Sequence, residues 1–290
     1  MTERPIVFGS GCSLVGVVTE PRKGVRAADR PACLFLNAGV IHHVGPNRLH
    51  VHLARHLAEL GFLSFRFDFS SRGDSDARSD GLAFAEATVI ESREAMDMLQ
   101  KNHGCERFVL MGICSGAVAS FQAALADPRV VGAVLIDIAA YPTTGYYLRR
   151  YLRRARSLES WKNFLRRNLP GRLLRAPRAP EEAAAPGEIE TLFGTFVLPP
   201  RSEAERAIAG LLDRGVRLLL IYSGSWTAYN YRDQFKDAFP GLMKRGAIQV
   251  EYYPDADHTF TRLASQRRLA RTVTDWLVRK LPEAGTQNAA

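Results

Sequence analysis

The sequence predicts an α/β fold, in which a doubly wound and mostly parallel sheet carries an inserted helical, arginine-rich cap. Short apolar runs, typical of strands buried on both faces, alternate along the chain with amphipathic helical segments. This alternation stops near residue 140 and resumes near residue 201. We therefore expect one core formed by residues 1–140 and 201–290, and a helical cap formed by residues 141–200.

In the first half of the chain, strand and helix patterns follow one another closely. The first segment alternates apolar and small residues, which is typical of antiparallel strands at a sheet edge. Two of the helical patterns stop at glycines, Gly61 and Gly104. The predicted elements are two edge strands within residues 5–20, strands at 33–36, 62–67, 105–111 and 130–136, and helices at 47–60, 83–100 and 116–126.

The second half begins with the predicted cap, in which no strand pattern is present. Residues 146–169 have helical spacing and many arginines, and the proline-rich residues 175–187 resemble a linker. The α/β pattern then resumes with Ser202 and Glu205, which are spaced as a capping box at a helix start. The remaining predicted elements are helices at 202–213, 230–239 and 262–281, strands at 216–222 and 247–253, and a disordered tail at 283–290.

The composition is that of an ordinary globular protein, with 46% hydrophobic and 24% charged residues. No apolar run is long enough for a transmembrane helix, and the first residues lack the features of a signal peptide. Cys12, Cys33, Cys105 and Cys114 form no C-x-x-C pair, so we expect a reducing cytoplasm without a zinc site or disulfide framework. The glycines follow no dinucleotide or phosphate-binding pattern, and we therefore expect no cofactor and no metal.

The net charge of +9 is concentrated in one block. Residues 149–178 hold ten arginines and one lysine against a single glutamate, and the rest of the chain is close to neutral. A single block favours a local site over a nucleic-acid surface, so we expect no nucleic-acid partner. A solvated helix face is the alternative, because the arginines at 149–156 would point around the whole helix.

A sharp turn follows the strand predicted at 105–111. In Gly112-Ile-Cys114-Ser-Gly116, small residues stand two positions before and two positions after Cys114. This is the pattern of a nucleophile elbow, G-x-S-x-G, with cysteine in the serine position. With Ser115 as the nucleophile, Ile113 would occupy a position without room for its side chain. We therefore expect Cys114 as nucleophile and the Ser115 N–H as an oxyanion donor. A buried cysteine beside a glycine turn is the alternative.

Two further segments complete a family resemblance. Asn37-Ala-Gly39-Val40 follows a buried strand, and Asp257-His258-Thr-Phe260 follows the last one. With the elbow, they make the chain resemble the α/β-hydrolases over most of its length. The elbow and the stretch from Gly45-Pro-Asn-Arg-Leu to Arg66-Phe-Asp68 are also similar to hydrolases associated with bacterial exosortase and exopolysaccharide loci.

The resemblance implies roles for several residues. His258 stands where this family carries its catalytic histidine, and the backbone N–H of Val40 stands where it carries the second oxyanion donor. The usual acid position is occupied by Trp226, so we expect the acid to be Asp137, after the preceding parallel strand. A Cys–His dyad without an acid is the alternative.

Other polar and aromatic residues near these segments have weaker signals. His42, Trp226 and Tyr229 are candidate substrate-binding residues. Asp68 and Asp74 follow a strand, and we expect them to accept hydrogen bonds from loop amides. Asp257 is adjacent to His258 in sequence, which makes it a poor partner because neighbouring side chains seldom face each other.

A cysteine nucleophile indicates acyl transfer through an S-acyl intermediate, as in a thioesterase, an ester hydrolase or an acyltransferase. The basic cap would suit an acyl group carried on coenzyme A, an acidic carrier protein or an acidic sugar polymer. Two other classes remain open: a non-catalytic binding protein on a hydrolase fold, and a membrane-surface protein that uses the basic cap. The sequence leaves the acyl group, the acceptor and the oligomeric state open.

Overall fold

The computed structural model describes residues 1–11, 13–21, 29–155, 188–191 and 194–281. Within these residues, eight strands form one sheet in the order β1-β2-β4-β3-β5-β6-β9-β10. Two further strands, β7 and β8, form a separate antiparallel hairpin. The strands are β1 Thr2–Phe8, β2 Leu14–Glu20, β3 Ala32–Leu36, β4 Ser64–Phe67, β5 Phe108–Ile113, β6 Val130–Ile136, β7 Glu188–Thr191, β8 Gly194–Val197, β9 Arg217–Ser223 and β10 Ile248–Tyr253.

The main sheet is parallel from β4 to β10 and antiparallel at its other end. β1 pairs with β2, and β2 pairs with β4, in antiparallel register. The expected antiparallel pair is therefore present, but only β1 lies at the edge. Gly16 in β2 leaves room for an aromatic side chain of β4, because a Cβ there would lie 2.5 Å from the Phe65 ring.

Helices cover both faces of the sheet, which confirms the predicted doubly wound α/β architecture. On one face, α1 and α8 pack against β3, β5, β6 and β9. On the other face, α2, α3 and α5 pack against the same strands. The described helices are α1 Leu49–Glu59, α2 Phe84–His103, α3 Ser115–Ala126, α4 Thr144–Ala155, α5 Arg201–Asp213, α6 Gln234–Ala238, α7 Pro240–Met243 and α8 Leu263–Lys280, with a 3-10 turn at Pro46–Arg48.

Three local predictions were wrong. The segment 141–200 was expected to lack strands but contains the β7–β8 hairpin. The capping box is not formed, because α5 begins one residue earlier and its N-cap, Pro200, offers no side-chain hydrogen bond. The helix expected at 230–239 is shortened to α6, and α7 follows as a separate short helix, since Phe239 between them has a non-helical φ of −136°.

Part of the predicted cap lies outside the described residues. α4 and the β7–β8 hairpin belong to segment 141–200, whereas the remainder of the helix expected at 146–169 and the linker at 175–187 are not described. The tail at 283–290 is outside the description as well. The domain boundaries and the arginine-rich cap therefore stay predictions. Among the described helices, none combines the length and the apolar character needed to cross a membrane.

The turn between β5 and α3 brings three backbone segments into close contact. A Cβ at Gly112 would lie 2.1 Å from the Gly116 carbonyl oxygen, and a Cβ at Gly116 would lie 2.5 Å from the Leu36 carbonyl oxygen. The obstructing atoms are backbone atoms, which cannot move aside as a side chain can. Both glycines are thus required for the first turn of α3 to pack against β5 and β3.

We expect Gly112→Ala to lower the free energy of unfolding by about 3 kcal/mol or more, because overpacking against backbone cannot relax locally. Gly210→Ala is the matched control: Gly210 lies in α5, and a Cβ added there would meet nothing within 4 Å. That control should be neutral or stabilising by about 0.5–1 kcal/mol, since glycine weakens a helix interior. Urea unfolding measures both variants, and equal stabilities would contradict the close-contact interpretation.

Candidate active site

Cys114 occupies a strained backbone position at the end of β5. Its φ and ψ angles are 55° and −121°, a conformation that L-residues rarely adopt. The conformation is held by hydrogen bonds on both sides: the Cys114 N–H donates to the Ile136 carbonyl at 2.9 Å, and the Cys114 carbonyl accepts the Ala117 N–H at 3.0 Å. The side chain is partly exposed. This is the strand-turn-helix geometry that presents a nucleophile above a sheet.

Asp137 follows β6, the strand next to β5, and its side chain is fully buried. One carboxylate oxygen, Oδ1, accepts the Ser223 N–H at 2.6 Å. The other, Oδ2, accepts the Ser223 hydroxyl at 2.7 Å and lies 2.7 Å from Nδ1 of His258. A buried carboxylate needs such partners, and they fix its orientation toward the histidine.

His258 lies in the loop after β10, with its side chain about 32% exposed. The loop is anchored at its far end by Phe260, which is fully buried and donates its N–H to the Asp257 carbonyl at 3.0 Å. It is also anchored across the site, because the Asn47 amide donates to the Thr259 carbonyl at 3.0 Å. The imidazole is therefore held at the carboxyl edge of the sheet, where Asp137 and Cys114 also lie.

The His258 ring connects the acid to the cysteine. Nδ1 lies 2.7 Å from Asp137 Oδ2, and Cys114 is close enough to the ring to raise the pKa of His258. With Nδ1 on the carboxylate, Nε2 is the ring nitrogen available to the sulfur. Burial on its own lowers the pKa of His258, but the hydrogen bonds to Asp137 and Cys114 and their charges raise that pKa to about 9. At neutral pH the imidazole therefore carries a proton and a positive charge.

Trp226 stands where the resemblance places an acid, and it has a different role. Its indole stacks on the His258 ring, with centroids 5.0 Å apart and planes 12° from parallel. Its Nε1 donates to the Ile138 carbonyl at 3.2 Å. The loop after β9 thus supplies a ring that packs on the histidine, and Ser223 at the end of β9 holds the acid.

Asp257, although adjacent to His258, is occupied elsewhere. Its carboxylate accepts hydrogen bonds from the Thr261 hydroxyl at 2.7 Å and the Thr259 hydroxyl at 2.9 Å. The Thr261 hydroxyl has the largest effect on Asp257, and together these bonds lower the pKa of this carboxyl to about 2. Asp257 therefore organises its own turn.

The loop after β3 lies against the first turn of α3. The Gly39 N–H donates to the Ser115 hydroxyl oxygen at 2.7 Å, and the Gly39 carbonyl accepts Nε of Arg72 at 3.0 Å. Across the described residues, the N–H groups of Val40 and Ser115 have no protein acceptor. The two expected oxyanion donors are thus unpaired, and they belong to segments in direct contact.

A second histidine–carboxylate pair lies behind this loop. Asp68, fully buried, accepts the His43 N–H at 2.5 Å, lies 2.7 Å from His43 Nδ1, and accepts the Asn37 amide at 2.9 Å. It also accepts the Asp74 N–H at 3.2 Å, so the expectation that Asp68 bonds loop amides is met. His43, Asp68 and Asp74 offer possible ligand atoms within 4.8 Å of one another, but both Asp68 oxygens already face N–H donors.

The two remaining substrate-binding candidates lie in different surroundings. His42 is exposed, and its ring meets the edge of the His43 ring at a centroid distance of 5.4 Å. Tyr229 is buried and stacks on Tyr222 with centroids 3.8 Å apart. Its hydroxyl donates to the Arg232 carbonyl at 2.9 Å. The structure therefore places Tyr229 in an apolar wall and His42 at the surface.

Comparison with solved structures identifies the architecture. Est1E from Butyrivibrio proteoclasticus, in a structure with bound ferulic acid, superimposes with a TM-score of 0.59 over 95% of this chain and 98% of its own, at 14% identity. The chain has the α/β-hydrolase fold. No protein-family model matches the sequence, and a search among curated proteins gives no match.

Two other structures with the α/β-hydrolase fold agree. The Pyrococcus furiosus esterase Pf2001 has a TM-score of 0.59 over 97% of this chain and 90% of its own, at 13% identity. A serine hydrolase without a lid from Xanthomonas campestris has a TM-score of 0.52 over 97% of this chain and 96% of its own, at 16% identity. At such low sequence identities, the comparisons show only the fold. The role of the cysteine has to be argued from the geometry of the site.

Sequence reasoning missed three supporting interactions: the Ser115 hydroxyl on the Gly39 amide, the stacking of Trp226 on His258, and the buried Asn37–Asp68–His43 cluster. The buried cluster could have been predicted from the sequence, since Asn37 and Asp68 directly follow two neighbouring parallel strands, β3 and β4. Because such ends meet at one edge of a sheet, side chains at these positions come together.

The raised pKa of His258 predicts how stability depends on pH. The folded protein binds this proton more tightly than the unfolded chain, whose histidine has a pKa near 6.5. The stabilisation is complete below pH 6.5 and is lost as the pH rises through about 9. We expect urea unfolding between these values to show a steeper fall in stability for the wild type than for His258→Gln.

Asp137→Asn is the control for the origin of this slope, because it removes the charge and keeps the size of the side chain. That variant should also lose much of the pH dependence. If stability fell equally steeply with pH in the wild type and in both variants, the pairing of His258 with Asp137 would not be the cause of the pH dependence.

Proposed function

We propose that the protein is an enzyme of α/β-hydrolase type that transfers acyl groups through an S-acyl intermediate on Cys114. The single observation that carries this proposal is the connected set Cys114–His258–Asp137, with the cysteine in a strained elbow and the acid fully buried. The likeness to esterases and hydrolases supports ester or thioester substrates.

In the first half-reaction, the Cys114 thiolate attacks the carbonyl carbon of the substrate and forms a C–S bond. The carbonyl oxygen becomes an oxyanion, for which the unpaired N–H groups of Val40 and Ser115 are the donors. The C–O or C–S bond to the leaving group then breaks, and the leaving group takes the proton from Nε2 of His258. The products are S-acyl Cys114 and a neutral imidazole.

In the second half-reaction, an acceptor restores the enzyme. Neutral His258 removes a proton from the acceptor as the acceptor attacks the thioester carbon, and the Cys114 thiolate leaves. Asp137 keeps the imidazole in place and stabilises its positive charge. Water as acceptor gives hydrolysis, whereas an amine, alcohol or thiol gives transfer. We favour transfer, because a thioester reacts readily with amines and thiols.

The environment of α4 supports an anionic carrier for the acyl group. Arg149 and Arg150 are exposed on this helix, and the Arg149 guanidinium lies over the Tyr231 ring at 4.2 Å. Coenzyme A and an acidic carrier protein both present phosphate or carboxylate groups to such a surface. A sugar polymer with acid groups is a further anionic partner that we propose for a basic surface of this kind.

We further propose a reducing, cytoplasmic location, since the described cysteines Cys33, Cys105 and Cys114 are free thiols.

Incubation with a short acyl thioester should add one acyl mass to the intact protein, and peptide mapping should place it on Cys114. Cys114→Ala should abolish both the adduct and turnover. Cys105→Ala is the matched control, because Cys105 is buried and its surroundings raise its pKa to about 11. That variant should keep the adduct.

The other outcomes distinguish the alternatives. An adduct on Ser115 would move the nucleophile by one residue. A protein that forms no adduct with any ester or thioester, or a Cys114→Ala variant with full activity, would overturn the proposal in favour of a non-catalytic binding protein on this fold.

A membrane-surface function is the second candidate, and α4 carries the observation that favours it. Tyr147, Leu148, Tyr151 and Leu152 lie along one side of this helix, and each is between 40 and 62% exposed. Arg149 and Arg150 lie beside them. An exposed aromatic and aliphatic stripe beside arginines is typical of helices that bind the surface of anionic bilayers.

Vesicles of anionic lipid should co-sediment the wild-type protein, and Leu148→Glu should weaken this binding at least tenfold if α4 enters the interface. Val278→Glu is the control, because Val278 is a comparably exposed apolar residue on α8. Equal binding of both variants, or no binding by the wild type, would exclude this candidate.

A further inference from the structure

An apolar cavity of about 300 Å³ lies beside the candidate active site, on the face of the sheet covered by α3 and α5. Its floor is formed by side chains of β6 and β9, and its walls by α3, α5, α6 and the segment after β6. The residues that define it best are Val118, Phe121, Ile138, Leu220, Tyr222 and Phe239.

Two elements connect this cavity with the reacting groups. Val118, one helical turn after the nucleophile, donates its N–H to the Cys114 carbonyl at 3.2 Å. Ile138 directly follows Asp137, and its carbonyl accepts the indole N–H of Trp226, the ring that stacks on His258. Lining residues of the cavity therefore lie one helical turn after Cys114 and directly after Asp137 in sequence.

The buried amide side chain in the cavity wall is already paired within the protein. Gln234 is fully buried, and its amide donates to the carbonyls of Tyr141 and Ala228 at 3.1 and 2.7 Å. Its side-chain oxygen accepts the Asn230 N–H at 2.9 Å. The exposed side chains of Gln122 and Glu203 border the rim. A ligand inside the cavity is thus offered apolar surface and few polar partners.

We propose that this cavity binds the hydrocarbon tail of a linear acyl group while its carbonyl carbon is at Cys114. The assignment names the substrate class of the proposed function and rests on that function. A cavity of 300 Å³ holds about ten water-sized groups at ~30 Å³ each, so chains of roughly eight to ten carbons should fill it. Short acyl groups would leave most of it empty.

The test is the rate of Cys114 acylation, followed by intact mass, with N-acetylcysteamine thioesters of straight chains from two to sixteen carbons. The rate constant at limiting substrate should rise by up to about fourfold per added methylene as apolar surface is buried. It should stop rising once the cavity is full. A rate independent of chain length would overturn the assignment, and so would a preference for an aromatic acyl group over every straight chain.

A matched pair of substitutions on α5 locates the effect. Ala204 lines the cavity, whereas Ala207, one turn along the same helix, does not. Ala204→Trp should lower the ratio of decanoyl to acetyl rates by at least tenfold, and Ala207→Trp should leave that ratio unchanged. Ala140→Trp, from the other side of the cavity, serves as the second filling variant if Ala204→Trp does not fold. If the ratio of decanoyl to acetyl rates were unchanged in both filling variants, the hydrocarbon tail would bind outside this cavity.

Binding without chemistry separates this assignment from the proposed function. In Cys114→Ala, calorimetric titration with hexan-1-ol, octan-1-ol and decan-1-ol should give dissociation constants that fall with chain length, and Ala204→Trp in that background should weaken decan-1-ol binding. If no thioester acylates the wild type but this pattern holds, the proposed function fails and the cavity assignment stands. If acylation occurs but no alcohol binds, the assignment fails and the function stands.

Discussion

The close approach of α3 to the ends of β3 and β5 is the constraint on which the candidate site depends. Backbone atoms of Gly112, Gly116 and Leu36 lie so near one another that no Cβ fits between them. This contact turns the chain sharply at Cys114 and forces its strained φ and ψ. It also brings the first residues of α3 against the loop after β3, so that Ser115 can accept the Gly39 N–H. One packing contact thus positions the sulfur and both candidate oxyanion donors.

A second constraint is the sheet order β5-β6-β9-β10, which brings residues distant in sequence to one edge. Asp137 after β6 lies between the elbow after β5 and Ser223 at the end of β9. Its two oxygens are saturated by Ser223 and His258, which compensates for removing a carboxylate from water. Because Asp137 pairs with His258, the loop after β9 does not need to supply a carboxylate and has Trp226 at that position. The candidate residues Cys114, Asp137 and His258 keep the chain order of nucleophile, acid and histidine that the resemblance implies, although Asp137 follows an earlier strand than the usual acid.

Strand and helix positions were predictable wherever periodicity extended over several residues, and the elbow was predictable because only small residues fit around Cys114. The partner of His258 remained one of several possibilities, since the choice between Asp137, Asp257 and a dyad depends on side-chain directions. Those directions follow from strand order and from the hydrogen bonds of Thr259 and Thr261, neither of which appears in a sequence pattern. The β7–β8 hairpin was missed because four-residue strands carry too little alternation to detect.

The fixed orientation of the His258 ring, with Nδ1 on Asp137 and one face on Trp226, has a consequence for the order of events in an acyl-transfer reaction. The indole covers one face of the imidazole, and Asp137 occupies Nδ1, so the ring meets reactants through Nε2 and its remaining side. The departing group and the incoming acceptor must exchange protons with that same nitrogen. They therefore compete for one position beside the sulfur, and the first product has to leave before the second substrate enters. Such an enzyme alternates between a free and an acylated form, and its double-displacement kinetics follow from one proton-transfer position serving both half-reactions.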